Sequence, residues 1–344
     1  MKKIRLISAV VIYIAYIISV NVITRYETPV MSTDTAISET TVYSEEQPEI
    51  TTTYMTVTSK TETSPYENRP AFLCDDEGSF PEGFYDDLTE IIERYPHFKE
   101  YDISVVYSDI ETGFTVMINP DKHYYSASVI KAPYMLYIYE LAEKGLTDIS
   151  QTVVYKEEYK KGGTGVIRDM EPETEFSIEE LIGYSLERSD NTAFFMLKNI
   201  YPEDDYRRYM WSIGIRHNED LNNQICCESA MITAKEIYRF IGEKNAYSEN
   251  LLRHMTSTLH PMIYAGENSV IARKYGWYLG YFHDMAIIYD ERPYILAVMT
   301  DFKTLEIGET EYQLYKDISA LFYTYSDRLY SEETDKTINI YTTD

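Results

Sequence analysis

The period of the apolar residues changes twice between Phe84 and Arg328, and this order of elements restricts the fold more than any other feature of the chain. Residues 84–95 carry apolar side chains at helical spacing. Residues 102–107 and 114–118 are runs rich in β-branched residues on either side of Glu111-Thr112-Gly113, which predicts a hairpin. Helical spacing then fills residues 129–146, 178–188, 192–200, 203–213, 234–242 and 249–256. Three strand-like runs follow at 269–279, 283–289 and 294–301, and a last helix is expected over 309–328. Strands at both ends with helices between, and a helix at each terminus, predict an α+β architecture: an antiparallel sheet packed on helices. No internal repeat is evident.

That patterning belongs to residues 74–330 of a 344-residue chain, read as one domain. Upstream, Lys2, Lys3 and Arg5 precede an apolar run at 6–24, near the length of a bilayer span. Positive residues on the N-terminal side predict a membrane anchor over 1–26, with the remainder outside the cytoplasm. A cleaved signal segment is the alternative; it also exports the chain, leaving it secreted. Residues 27–73 shift to Thr, Ser and Glu and bury too little apolar surface to repay their own ordering, so they are expected to form a disordered tether. Residues 331–344 are expected to be a disordered tail.

The 57 acidic residues outnumber the 31 basic ones and give a formal net charge of −26. With no basic stripe, nucleic acid is excluded as a partner. The 35 tyrosines, including Tyr134, Tyr137 and Tyr139 in one helical run, are read as packing. The six histidines show no metal-ligand spacing and no phosphate loop is present, so no metal or cofactor is expected. Three cysteines exclude a disulfide scaffold; Cys226 and Cys227 are adjacent, and Cys74 can pair with either.

Three short motifs carry the chemistry. Ser128-Val129-Ile130-Lys131 puts a hydroxyl and an amine three residues apart, neighbours on one helical face. Serine is a weak nucleophile without an adjacent base, and lysine can serve when burial or a nearby cation favours its neutral form. A helix start adds the positive dipole end and free N–H groups for a developing oxyanion. Ser189-Asp190-Asn191 lies between two helical runs. There a serine can relay a proton from Lys131 and an asparagine can hold a carbonyl, although these residues also simply cap helices, Asn191 before Thr192-Ala193 in particular. Lys274-Tyr275-Gly276 falls inside a strand, where a lysine can bind an anion and a missing side chain admits a substrate backbone.

In this order the motifs resemble the S-x-x-K, S-D-N and K-T-G set of the serine β-lactamase and penicillin-binding family. The resemblance extends to Asp121-Lys122, to 126–133 around the nucleophile, to the loop Lys161-Gly162-Gly163-Thr164-Gly165-Val166-Ile167, and to Thr192-Ala193 after the second motif. It implies the class A β-lactamase-like fold and an acyl-transfer mechanism. Ser128 would attack a β-lactam or acyl-D-Ala carbonyl, Lys131 would take its proton, and Ser189 would pass that proton to the leaving nitrogen. Asn191 would position the substrate, Lys274 would attract its carboxylate helped by Arg273, and the N–H groups of Ser128 and Trp277 would hold the oxyanion. The implied partner is a small β-lactam or a cell-wall peptide.

Two departures bear on activity. Tyr275 stands where the family has Thr or Ser, so the small hydroxyl of the carboxylate site is gone. The water-activating glutamate pattern E-x-x-L-N is one residue short in Glu219-Asp220-Leu221-Asn222; Glu228 is a second candidate without the Leu-Asn partner. An enzyme with efficient turnover, a penicillin-binding or D,D-peptidase-like protein with slow deacylation, and a non-catalytic surface domain that keeps the pocket are the readings left open.

Overall fold

The computed structural model describes residues 83–100, 102–216, 223–326 and, as backbone, 337–340. These residues all belong to one unit of the chain, 57–344. The expected anchor, the tether, Cys74 and Glu219 lie outside the described residues. Among the described residues, no helix is long and apolar enough to cross a membrane.

The first helix, α1 (Phe84–Arg94), buries Phe84, Leu88, Ile91 and Ile92 on one face. The hairpin β1 (Ile103–Asp109) and β2 (Thr115–Ile118) pairs Val105 with Ile118 and Ser108 with Thr115. Its turn is tied by Asp109, whose Oδ1 accepts from Thr112 N and Thr112 Oγ1, both at 2.7 Å, while Gly113 takes a φ of 74°. A short strand β3 (Tyr124–Tyr125) leads to α2 (Lys131–Glu143). The chain continues through β4 (Thr152–Val154), β5 (Glu175–Ser177), α3 (Ile178–Glu187), α4 (Asn191–Ile200), α5 (Glu203–Ser212), β6 (Gln224–Ile225), α6 (Cys227–Ile241) and α7 (Ala246–Thr256). Then come β7 (Val270–Tyr278), β8 (Tyr281–Tyr289), β9 (Tyr294–Asp301), α8 (Glu309–Ser326) and β10 (Thr337–Ile340).

Six strands form one sheet in the order β10-β2-β1-β9-β8-β7, antiparallel except for β10 beside β2. Its two faces are both buried, in different company. Along β9, Tyr294, Leu296 and Val298 join a core with α1 and α8, whereas Ile295, Ala297 and Met299 join one with the middle helices. On the first side α1 and α8 interlock through Phe84 and Phe322, 5.9 Å apart, and through Tyr325 Oη, which donates to Asp87 at 2.7 Å. This is the α+β arrangement expected from the element order: terminal helices on one face of the sheet and a helical layer on the other.

Two local expectations change. The helix expected at 234–242 begins at Cys227, because Cys227, Ala230, Met231 and Ala234 are buried at helical spacing and outweigh the weak propensity of Ile232 and Thr233. Cys226 caps it, its sulfur accepting from Ser229 N at 3.4 Å. In the expected tail, residues 337–340 pair with the outer edge of β2, whose unpaired N–H and C=O groups are a template for a further strand. Tyr134, Tyr137 and Tyr139 are all buried in α2, as their reading as packing requires.

Candidate active site

Ser128 stands just ahead of α2, in a tight turn where Val129 N donates to Ser126 O and Lys131 N to Ser128 O. Ala127, before it, takes a φ of 45° and turns the chain sharply into the helix. The approach is braced by β3, which pairs with β6, and by Ser126 N, which donates to Asn223 O at 2.8 Å.

Lys131, in the first turn of α2, is only 2% exposed. Its ammonium has three hydrogens and three acceptors: Ser128 Oγ at 2.9 Å, Ser189 O at 2.8 Å and Asn191 Oδ1 at 2.8 Å. Burial pulls its pKa down to about 7, against the opposing pull of the Asp190 charge. A buried amine that is half neutral near pH 7 has a lone pair for the serine proton. The S-x-x-K spacing therefore brings a hydroxyl and an amine able to accept its proton to hydrogen-bond distance.

The second motif works through its backbone. Ser189 has a φ of 52°, a left-handed conformation that costs a non-glycine residue about 1–2 kcal/mol. That turn lets it face both lysines: its carbonyl accepts from Lys131 and its hydroxyl accepts from Lys274 Nζ. The amine bonded to the Ser189 hydroxyl is thus Lys274, not Lys131. Asp190, fully buried, holds the turn in place. Its Oδ1 caps α4 by accepting from Thr192 N and Ala193 N at 2.8 and 2.9 Å, and its Oδ2 accepts from Val166 N and Ile167 N at 2.6 and 3.0 Å. The cap is therefore Asp190, with Asn191 as the first helical residue. Asn191 binds Lys131 with its oxygen and the Gly162 carbonyl with its nitrogen, at 2.9 Å. Glycine is required in that loop: a Cβ on Gly163 would sit 2.6 Å from Asn191 Nδ2, and one on Gly165 would run into the Asp190 carboxylate.

The third motif lies on β7, the edge strand next to Ser128. A Cβ at Gly276 would come within 2.9 Å of Ser128 N and 3.0 Å of Val129 N, so only glycine leaves these N–H groups clear. Lys274 is completely buried, with burial first and the Lys131 charge second pushing its pKa well below the ordinary lysine value. Trp277 is 47% exposed, its ring 5.3 Å from Phe282. Arg273 points away from Ser128: it donates to Ile263 O at 2.5 Å and faces Asp284 at 3.4 Å, so it is not the second local cation expected at the site. Strand alternation is the reason, since Lys274 and Gly276 share one face and Arg273 does not. Glu228 N donates to Pro120 O at the start of α6.

Ser128, Lys131, Ser189, Asn191, Lys274 and Gly276 thus converge from two turns, two helices and an edge strand. The sequence comparison agrees with this arrangement: the model of the beta-lactamase enzyme family matches residues 83–326. The chain belongs to that family. It is a serine hydrolase of the class A β-lactamase-like fold. Similar solved structures include a β-lactamase from Chitinophaga pinensis, 20% identical with a TM-score of 0.61 over 71% of this chain and all of that one. A β-lactamase from Sphaerobacter thermophilus is 18% identical, TM-score 0.59, over 70% and 94% of the two chains. PBP-A is 15% identical, TM-score 0.62, over 72% and 97%. No curated protein matches by sequence.

Proposed function

We propose that this family member cleaves β-lactams or related amides and esters through a Ser128 acyl-enzyme. The observation that carries the reading is Ser128 Oγ at 2.9 Å from a buried lysine whose pKa is about 7. As Oγ bonds to the carbonyl carbon, its proton passes to Lys131 Nζ, and the oxyanion forms against Ser128 N with Gly276 keeping the space clear. Collapse breaks the bond to the leaving nitrogen or oxygen. That atom takes the Ser189 hydroxyl hydrogen, and Ser189 is refilled from the lysine pair, which ends with the protons it began with. Asn191 and the Trp277 N–H group serve to position the substrate. Water activation by Glu219 then frees the acid.

A second reading, slow deacylation in the manner of a penicillin-binding protein or D,D-peptidase, is favoured by the shortened Glu219 pattern. Among the similar structures, a PBP-A mutant is an acyl-enzyme complex with penicillin G. Both readings place the domain outside the cytoplasm, tethered through the apolar run that follows Lys2, Lys3 and Arg5; resistance of the full chain to carbonate extraction from membranes supports the tether, and complete release refutes it.

The deciding experiment is intact-protein mass spectrometry of the full chain with N-phenylacetylglycine phenyl ester and with penicillin G, followed over time beside Ser128→Ala. A Ser128-dependent adduct is expected. One that decays with product release supports efficient turnover, and one that persists supports the second reading. No adduct from either compound on folded protein overturns both.

A further inference from the structure

Lys274 is already engaged by described neighbours that an incoming anion would have to displace. One hydrogen bond goes to the Ser189 hydroxyl, a second to Tyr275 O at 3.0 Å, and the ammonium lies 4.2 Å from the centre of the Tyr275 ring. A lysine ammonium has three N–H groups; two are engaged in these hydrogen bonds, and the aromatic ring lies within cation–π range of the charge. Nor can an anion reach it: Lys274 is fully buried and Tyr275 is itself only 5% exposed. The Tyr275 ring meets His260 edge-on at 5.2 Å, and burial first of all raises the pKa of its phenol. Arg273 on the same strand is committed to Ile263 O and Asp284. In a chain of net charge −26, a carboxylate approaching this site therefore has long-range repulsion to overcome, and neither cation of β7 is open to it.

We propose that Tyr275 closes the anion subsite over Lys274, so that this site selects acyl donors with no carboxylate beside the scissile bond: neutral esters and amides. Lys274 is then a fixed partner of Ser189 rather than a receptor for substrate charge. The inference rests on the Ser128 acyl-transfer reading and narrows its substrate class.

The test uses the full chain and two esters of N-phenylacetylglycine, the phenyl ester and the 3-carboxyphenyl ester, compared by kcat/KM. Wild type is expected to favour the uncharged phenyl ester by at least about tenfold, the worth of one charge-assisted hydrogen bond not made. Tyr275→Thr opens the subsite and should shift the ratio of the two rates toward the carboxylate ester by at least about tenfold. Tyr275→Phe keeps the ring and should retain the wild-type ratio. A wild-type preference for the carboxylate ester overturns the inference whether or not the variants fold. So does an unchanged ratio in folded Tyr275→Thr, or a Tyr275→Phe ratio that moves as far as the threonine variant. Ser128 labelling by a fluorophosphonate separates the two layers: labelling with the wrong ester preference overturns only the subsite proposal, whereas no labelling of folded protein overturns the acyl-transfer reading and this one with it.

Discussion

Acylation of Ser128 should rise with pH through about 7, because the base that activates it titrates there. A lysine with its ordinary pKa of 10.5 is neutral in only about one molecule in 3,000 at pH 7, whereas one at about 7 is neutral in about half. Burial therefore raises the population of the competent base by a factor of about 1,500, equivalent to about 4 kcal/mol of activation. The sign follows from the role: only the neutral amine can accept the Ser128 proton. The rate should accordingly fall about tenfold per pH unit below about 6 and reach a plateau above about 8. Lys274 is held low partly by the charge on Lys131, so the apparent value belongs to the lysine pair. Arginine in place of Lys131 keeps a cation but stays charged at every pH used, and Lys131→Arg should lose at least about 1,000-fold. The assay is kcat/KM for the neutral phenyl ester from pH 5.5 to 9, with folding checked by thermal unfolding at each end. A flat profile, an inflection near 10, or a folded Lys131→Arg variant within tenfold of wild type would refute Lys131 as the base.

Two other substitutions probe the scaffold around that pair. Gly276→Ala places a Cβ 2.9 Å from Ser128 N, against backbone that has little freedom to retreat. Acylation should drop about 100- to 1,000-fold, the usual loss for one oxyanion donor, with about 1–3 kcal/mol of destabilisation; wild-type acylation rates in the alanine variant would contradict the placement. Asp190→Ala removes an acceptor shared by four backbone N–H groups and should cost about 3 kcal/mol, read as a fall in Tm of about 6–12 °C. Ser128 labelling should slow at least about 100-fold at temperatures where that variant is folded, because the left-handed turn at Ser189 loses its brace. Unchanged labelling would show that Ser189 holds its position without Asp190.

The architecture was legible because periodicity carries burial. Alternation along residues 294–301 divides its side chains between two cores, and the helical spacing at 84–95 and 309–328 marks the pair of helices that cover one of them. The start of α6 was less so, since Ser229, Ile232 and Thr233 read poorly as helix until the burial of Cys227, Ala230 and Met231 is known. The edge strand at 337–340 draws its support from a register with β2, a non-local pairing that no local pattern announces.

At the site, spacing alone brought Ser128 within reach of Lys131, but the direction of each side chain depended on backbone conformations that residue types do not reveal. The clearest case is Ser189: only its φ of 52° lets the carbonyl serve one lysine and the hydroxyl the other, so the residue expected to relay from Lys131 is bonded through its hydroxyl to Lys274. Strand alternation suggests that Arg273 turns away from Lys274, but its commitment is fixed by Ile263 O and Asp284, since Tyr275, equally adjacent, lies against the Lys274 ammonium. The Asp190 brace was signalled less directly, by Gly163 and Gly165, where a Cβ would run into Asn191 and Asp190. Tyr275 presents the opposite situation. Its identity was conspicuous as a departure from the family pattern, yet whether the ring would swing clear of Lys274 or lie against it is decided by packing, with His260 edge-on to the ring. That contact changes the electrostatic argument for the whole site. The same burial that lowers the pKa of Lys131, and so suits it to the proposed role of base, also lowers that of Lys274, so an arrangement suited to moving protons between two amines and two serines is poorly suited to holding a substrate by its charge.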